Sequence, residues 1–182
     1  MLGDLAITSF LQDRNHPGLL QLAKLISLLG NPWLVVATVG ISSLGFWVAG
    51  LRTDSLFVMG ILIPDTLNQG LKILIGRPRP TEDLVYIWEM ARGNSFPSGH
   101  AFHAILFFGL LIFLGHRYLP QSWSRQVFLG LLGIILVLSG LSRVYLGLHW
   151  ATDIVGSYTI GGLCLFLMCL LYLSKYARHN ET

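Results

Sequence analysis

Three short stretches of this 182-residue chain carry residue types suited to phosphate chemistry. Lys72 is followed after six residues by Arg79-Pro80. Pro97-Ser98-Gly99-His100 comes next, and then Ser142-Arg143, with His149 after five intervening residues and Asp153 after three more. Each stretch lies at the edge of a strongly hydrophobic segment. Cations, histidines and a carboxylate in such places are costly unless they act. The chemistry they suit is gripping a phosphate and breaking its ester or anhydride bond. His149 and Asp153 stand one turn apart if their segment is helical. A carboxylate on one imidazole nitrogen fixes the tautomer and leaves the other nitrogen to attack. His100 opens a hydrophobic segment after Pro97-Ser98-Gly99, and a helix N-terminus offers unpaired N–H groups and a positive dipole end to an anion. Gly99 lets the backbone come close to a ligand. Arg79 and Arg143 present planar forks, and Lys72 a point charge. Phosphoryl transfer asks mainly for positioning and charge neutralisation.

The elements that must position these groups are membrane helices. The chain is 53% hydrophobic and 12% charged, against about 25% charged in an ordinary soluble domain. A spanning helix needs about 20 mostly apolar residues. On that basis the sequence predicts an all-α, polytopic helical bundle, a single domain over residues 1–182, with five spans: Trp33–Leu51, Ser55–Ile75, Gly99–Gly115, Val127–Leu141 and Asp153–Leu173. A sixth exists if residues 1–29 span. Otherwise the leucine-rich segment Pro17–Leu29 is an amphipathic helix at the interface. Asp4 and the polar run Asp13–Pro17 argue against a signal peptide. The longest polar stretch, residues 76–97, joins the second and third spans and carries a motif at each end. Counting sides, the first two motifs share a membrane face, and spans three and four return the chain to that face for the third. The +3 net charge comes with no basic run interleaved with aromatics, so nucleic acid is not an expected partner. No His/Cys/Asp/Glu cluster has metal-ligand spacing, and Cys164 and Cys169 lie on different helix faces as packing residues.

Lys-x6-Arg-Pro, Pro-Ser-Gly-His and Ser-Arg-x5-His-x3-Asp, unsubstituted and in order over Lys72–Asp153, resemble the motifs of the type 2 phosphatidic acid phosphatase (PAP2) superfamily, to which vanadium haloperoxidases and glucose-6-phosphatase are related. The resemblance implies a membrane phosphatase that works without a metal or other cofactor on a lipid phosphate or diphosphate. It implies His149 as nucleophile forming a phosphohistidine, Asp153 orienting it, and His100 as general acid. Lys72, Arg79, Arg143, the Ser98 hydroxyl and the Gly99 N–H would bind phosphate oxygens. Undecaprenyl diphosphate is the first expectation for the lipid, ahead of phosphatidylglycerophosphate or phosphatidic acid, and a phosphotransferase would carry the same residues. A non-catalytic lipid-binding or transport protein has no need of the nucleophile.

Around these residues, Asp65 and Asn68 share a face with Lys72. Asp65 either supports the site or satisfies a neighbouring helix, and His103 is placed at the lipid entrance. Arg77 and Arg92 flank the motifs, within reach of a second phosphate. Glu82, Asp83 and Glu89 read as a solvated loop face. Apart from the three phosphate-binding cations, Arg14, Lys24, Arg77 and Arg92 on the motif face nearly balance Arg52, Arg117, Arg125, Lys175 and Arg178 opposite. Charge therefore does not set the orientation. The resemblance implies a bacterial plasma membrane with the motifs on the extracytoplasmic face. The sequence is silent on oligomeric state.

Overall fold

The computed structural model describes residues 2–14 and 16–179, the last four through their backbone, so that the Arg178 side chain lies outside the description. Among the described residues the chain is all α-helix, without a strand. The helices are α1 (Leu2–Gln12), α2 (Pro17–Leu28), α3 (Pro32–Val48), α4 (Arg52–Gly60), α5 (Leu62–Ile75), α6 (Gly99–Tyr118), α7 (Trp123–Tyr145) and α8 (Ala151–His179).

Local chemistry explains the boundaries. Asn31 caps α3, its side chain accepting from the Trp33 N–H at 3.0 Å with Pro32 at the first helical position. The second predicted span is broken at Ile61, between α4 and α5. Pro64 has no N–H to continue the ladder, and its ring crowds the Gly60 carbonyl. Gly76, at φ 64°, ends α5 in the left-handed conformation. Ser122 caps α7 by accepting from Arg125 N–H at 3.1 Å, which starts the fourth span earlier than its apolar run does.

Among the described residues, four helical segments are long and apolar enough to cross a membrane: Arg52–Ile75, Gly99–Tyr118, Trp123–Tyr145 and Ala151–Lys175. A fifth crossing exists if α2 and α3, bent by 60° at their junction, count as one. Among the described residues the sixth does not form, because the amino-terminal segment holds two short helices of 11 and 12 residues, each below spanning length. α2 is the short amphipathic helix expected over Pro17–Leu29. Its leucines 19, 22, 25 and 28 are exposed, while Ala23 and Ser27 are buried on the side that packs on α7. A lipid-facing surface welcomes leucine, and small residues let helices approach.

α6 is the central helix, packed between α7 and α8. Its Phe102, Leu106, Phe107, Leu110 and Leu114 form one core with Val39, Val58, Ile61 and Tyr172. At the membrane face opposite the motifs, the buried Asp54 of α4 accepts hydrogen bonds from Tyr172 of α8 at 2.6 Å and Tyr118 of α6 at 3.0 Å. That carboxylate ties three helices at one level. Tyr172→Phe keeps the edge contacts with Phe57 and Phe113 but removes a donor to a buried charge. It should destabilise the protein by about 1.5–3 kcal/mol, read as a lower thermal unfolding midpoint in detergent. An unchanged midpoint would show that the remaining partners of Asp54 suffice.

Candidate active site

The three motifs meet at one cavity of about 680 Å³, lined by Lys72, Arg79, Gly99, His100, Arg143 and His149 together with α3 and α5 residues. Each element delivers its group through a local device. α7 ends at Tyr145, and Gly147 turns the chain with φ 73°, its α-carbon lying so close to the Tyr86 carbonyl that a side chain would collide. That turn brings the Leu148 and His149 N–H groups back to the Arg143 carbonyl, at 3.0 and 3.3 Å. The five-residue spacing between Arg143 and His149 is therefore one helix C-terminus folded on itself.

His149 precedes α8, so the helical condition on which the sequence put it one turn from Asp153 is not met. The pair still meets, with Nδ1 3.4 Å from Asp153 Oδ2. Asp153 occupies the third position of α8, and its Oδ2 accepts from the Trp150 N–H at 2.9 Å, half of a capping box. Capping fixes the carboxylate, and the carboxylate then faces the imidazole. Ser95 and Arg77 also donate to Asp153.

On the other side of the ring, Arg79 Nη1 lies 3.1 Å from His149 Nε2. A guanidinium has only donors, so Nε2 must be the unprotonated nitrogen, and the proton sits on Nδ1 toward Asp153. Burial pushes His149 down to about 3, the nearby Arg79, Lys72 and Arg143 charges acting in the same direction against the bond to Asp153. The ring is neutral at physiological pH, with a lone pair among three cations.

Those cations are held in place. Arg79 donates to the carbonyls of Leu148 (2.5 Å), Gly93 (3.0 Å) and Arg92 (3.3 Å). Lys72 Nζ reaches the Asn94 carbonyl at 3.4 Å, and Asn94 donates back to the Lys72 carbonyl at 2.8 Å. Arg143 donates to Ser27 Oγ and lies 3.8 Å from Glu89, while its buried Nε has no partner. Ser98 is fully buried beneath the cavity lining. Its N–H donates to Ser157 at 2.7 Å, and its hydroxyl has no partner. It does not cap α6, so the first N–H groups of that helix stay open at the cavity. His100 Nε2 lies 3.1 Å from the Ser27 carbonyl.

Several groups depart from the sequence reading. Arg77 does not wait for a second phosphate, because it bridges Asp153 and Asp4. Asp4 of α1 also accepts from the Thr152 N–H and hydroxyl at 2.8 and 2.9 Å. Although burial raises it, these bonds and Arg77 hold Asp4 below its ordinary range. Glu89 is no plain solvated residue, since it faces Arg143 and receives the Ser27 hydroxyl at 3.3 Å. Asp65, by contrast, takes one of its two expected roles, binding His103 of the neighbouring α6 at 2.6 Å within the cavity lining. Sequence reasoning misses Asp4, Ser27 and Ser95. Asp4, isolated in a mostly apolar helix, is the one available signal.

Residues 55–177 match the PAP2 superfamily. Phosphatidylglycerophosphatase B of Bacillus subtilis (strain 168) is 32% identical over 166 residues, covering 81% of this chain and 79% of that protein. A protein of Escherichia coli (strain K12) provisionally named undecaprenyl-diphosphatase YbjG is 27% identical over 146 residues, 71% of this chain and 69% of the other. The crystal structure of a transmembrane PAP2 type phosphatidylglycerolphosphate phosphatase from Bacillus subtilis shares the fold with a TM-score of 0.82 at 30% identity, over 93% of this chain and 84% of that one.

The geometry leads to two expected outcomes. A β-carbon on Gly30 would overlap the His100 ring, so Gly30→Ala should cut phosphatase activity by roughly tenfold or more, with circular dichroism unchanged; full activity would mean that the position of His100 is immaterial. The folded state keeps His149 near 3, whereas the unfolded chain protonates it near 6.5. The unfolded state then binds more protons, so stability falls as pH drops from 6.5 toward 3. His149→Gln should lessen that loss in thermal unfolding across pH 7 to 4, and parallel curves would count against a neutral buried ring.

Proposed function

The chain belongs to the PAP2 superfamily and is an integral membrane lipid phosphatase, and on that premise we propose that it works through a phosphohistidine at His149. Nε2 attacks phosphorus while the terminal phosphate oxygens lie against Lys72, Arg79 and Arg143. The Gly99 N–H completes the cradle, and the unpartnered Ser98 hydroxyl and Arg143 Nε, buried just behind it, turn toward the phosphate as it binds. Asp153 stabilises the charge that develops on the imidazole. His100, its Nε2–H donating to the Ser27 carbonyl, takes up a second proton at Nδ1 as the phosphate monoanion arrives, and this imidazolium passes that proton to the leaving oxygen. Water then attacks the phosphohistidine, giving its proton to the now neutral His100 Nδ1, and phosphate leaves with His149 Nε2 free again. The observation that carries this reading is the His149 ring itself, with Nδ1 toward Asp153 and Nε2 toward the Arg79 guanidinium at the wall of the cationic cavity.

For the substrate, the likeness to phosphatidylglycerophosphatase B over most of both chains favours phosphatidylglycerophosphate. Undecaprenyl diphosphate, the first expectation from the sequence, is supported by the more distant relative from Escherichia coli. The reading includes a bacterial plasma membrane with the cavity on its extracytoplasmic side, which rests on the family resemblance and the bacterial relatives.

Purified protein in detergent should release phosphate from these lipids, and His149→Ala should lower the rate by at least about 10³-fold. Retained turnover in that variant would falsify the nucleophile assignment. Labelled phosphate trapped by an acid-free quench should map to position 149, and label at position 100 would reverse the two histidine roles.

A further inference from the structure

The phosphate cradle occupies only part of the cavity. Further along its wall, Asp65 of α5 and His103 of α6 form a pair, Oδ2 to Nδ1 at 2.6 Å, with side chains 18% and 6% exposed. None of the proposed catalytic steps uses either residue. Asp65 precedes Lys72 by two helical turns, about 10 Å along the axis of α5, and His103 lies one turn after His100 on α6. The pair thus lies beyond the cationic end, on the side toward the bilayer interior. Asn68, one turn from Asp65, lines the same cavity, is 1% exposed, and has an amide oxygen with no partner.

A carboxylate inside a membrane span is costly and marks function. Its chemistry here is that of an acceptor. The His103 ring spends Nδ1 on Asp65 and keeps Nε2 for a ligand, and the carboxylate keeps lone pairs that accept from a donor. A hydroxyl both donates and accepts, so it fits the pair from either side. A second phosphate does not, because it would meet the carboxylate as a like charge.

We propose that Asp65, His103 and Asn68 form a hydroxyl-binding subsite that recognises a glycerol unit attached to the phosphate held by Lys72, Arg79 and Arg143. The subsite rests on the phosphatase reading above. It assigns the cavity to phosphomonoesters of polyols and sets it against diphosphates.

The test uses the wild-type protein with three soluble phosphomonoesters: glycerol 3-phosphate, n-propyl phosphate and phosphoethanolamine. They share the phosphate and differ in the group esterified to it. Binding is measured by calorimetry and by inhibition of phosphatidic acid hydrolysis. Glycerol 3-phosphate should bind roughly tenfold more tightly than propyl phosphate. In Asp65→Ala and His103→Ala the ratio should fall to about one, with propyl phosphate binding unchanged. Equal affinities in the wild type, or a preference for phosphoethanolamine, would overturn the proposal, the latter by assigning the pair to an ammonium group. Phosphate release by the wild type and its loss in His149→Ala report on the phosphatase reading, whereas the affinity ratio reports on the subsite, so either can fail alone.

Discussion

A single buried carboxylate, that of Asp153, organises the catalytic end of this molecule. It collects Arg77 and Ser95 from the long polar segment, the Trp150 N–H from the start of α8, and the His149 imidazole from the turn after α7. Through Arg77 it is coupled to Asp4 of α1, which returns to Thr152 beside it. An isolated charge here would be prohibitive, and a fully bonded one is tolerable only while every partner stays in place. The same contacts that satisfy the charge therefore bring distant pieces of chain to one point. Losing one partner of such a cluster costs about 3–5 kcal/mol, which is why fold and site depend on each other at this end.

The cationic wall obeys a related constraint. Lys72, Arg79 and Arg143 stand close together in a poorly solvated place and repel one another. Backbone carbonyls of the 76–98 segment and of Leu148, with Glu89 facing Arg143, offset that repulsion before any substrate arrives. The donors are consequently fixed in advance of the charge they are to meet, which spares reorganisation at the moment of reaction. The irregular course of residues 76–98 has a purpose in this light, since a helix would spend its carbonyls on itself.

Much of this was legible in the residues. The apolar runs announced the helices, and the count of crossings put the three motifs on one side. What stayed hidden has physical reasons. Pro64 was visible, but whether it kinks or breaks a span depends on packing. The placement of His149 ahead of α8 depends on Gly147, whose left-handed turn no apolar period reveals. Ser27 and Asp4 are two of several polar residues in short helices, and their partners lie far away in sequence, Arg143 for one and Thr152 for the other. No local pattern encodes such a pairing. The leucine stripe of α2 was legible as an apolar face, but that Ala23 and Ser27 would make its buried contact with α7 was not.

α2 also alters what counts as the enzyme. Its last turn supplies the carbonyl that meets His100 and the hydroxyl that meets Arg143, yet it lies upstream of the region, residues 55–177, that the family holds in common. A chain trimmed to that shared region would retain every signature residue while losing two of the atoms that aim them. The smallest competent body is thus larger than the stretch by which it is recognised, and its amino-terminal boundary is drawn by geometry rather than by motif.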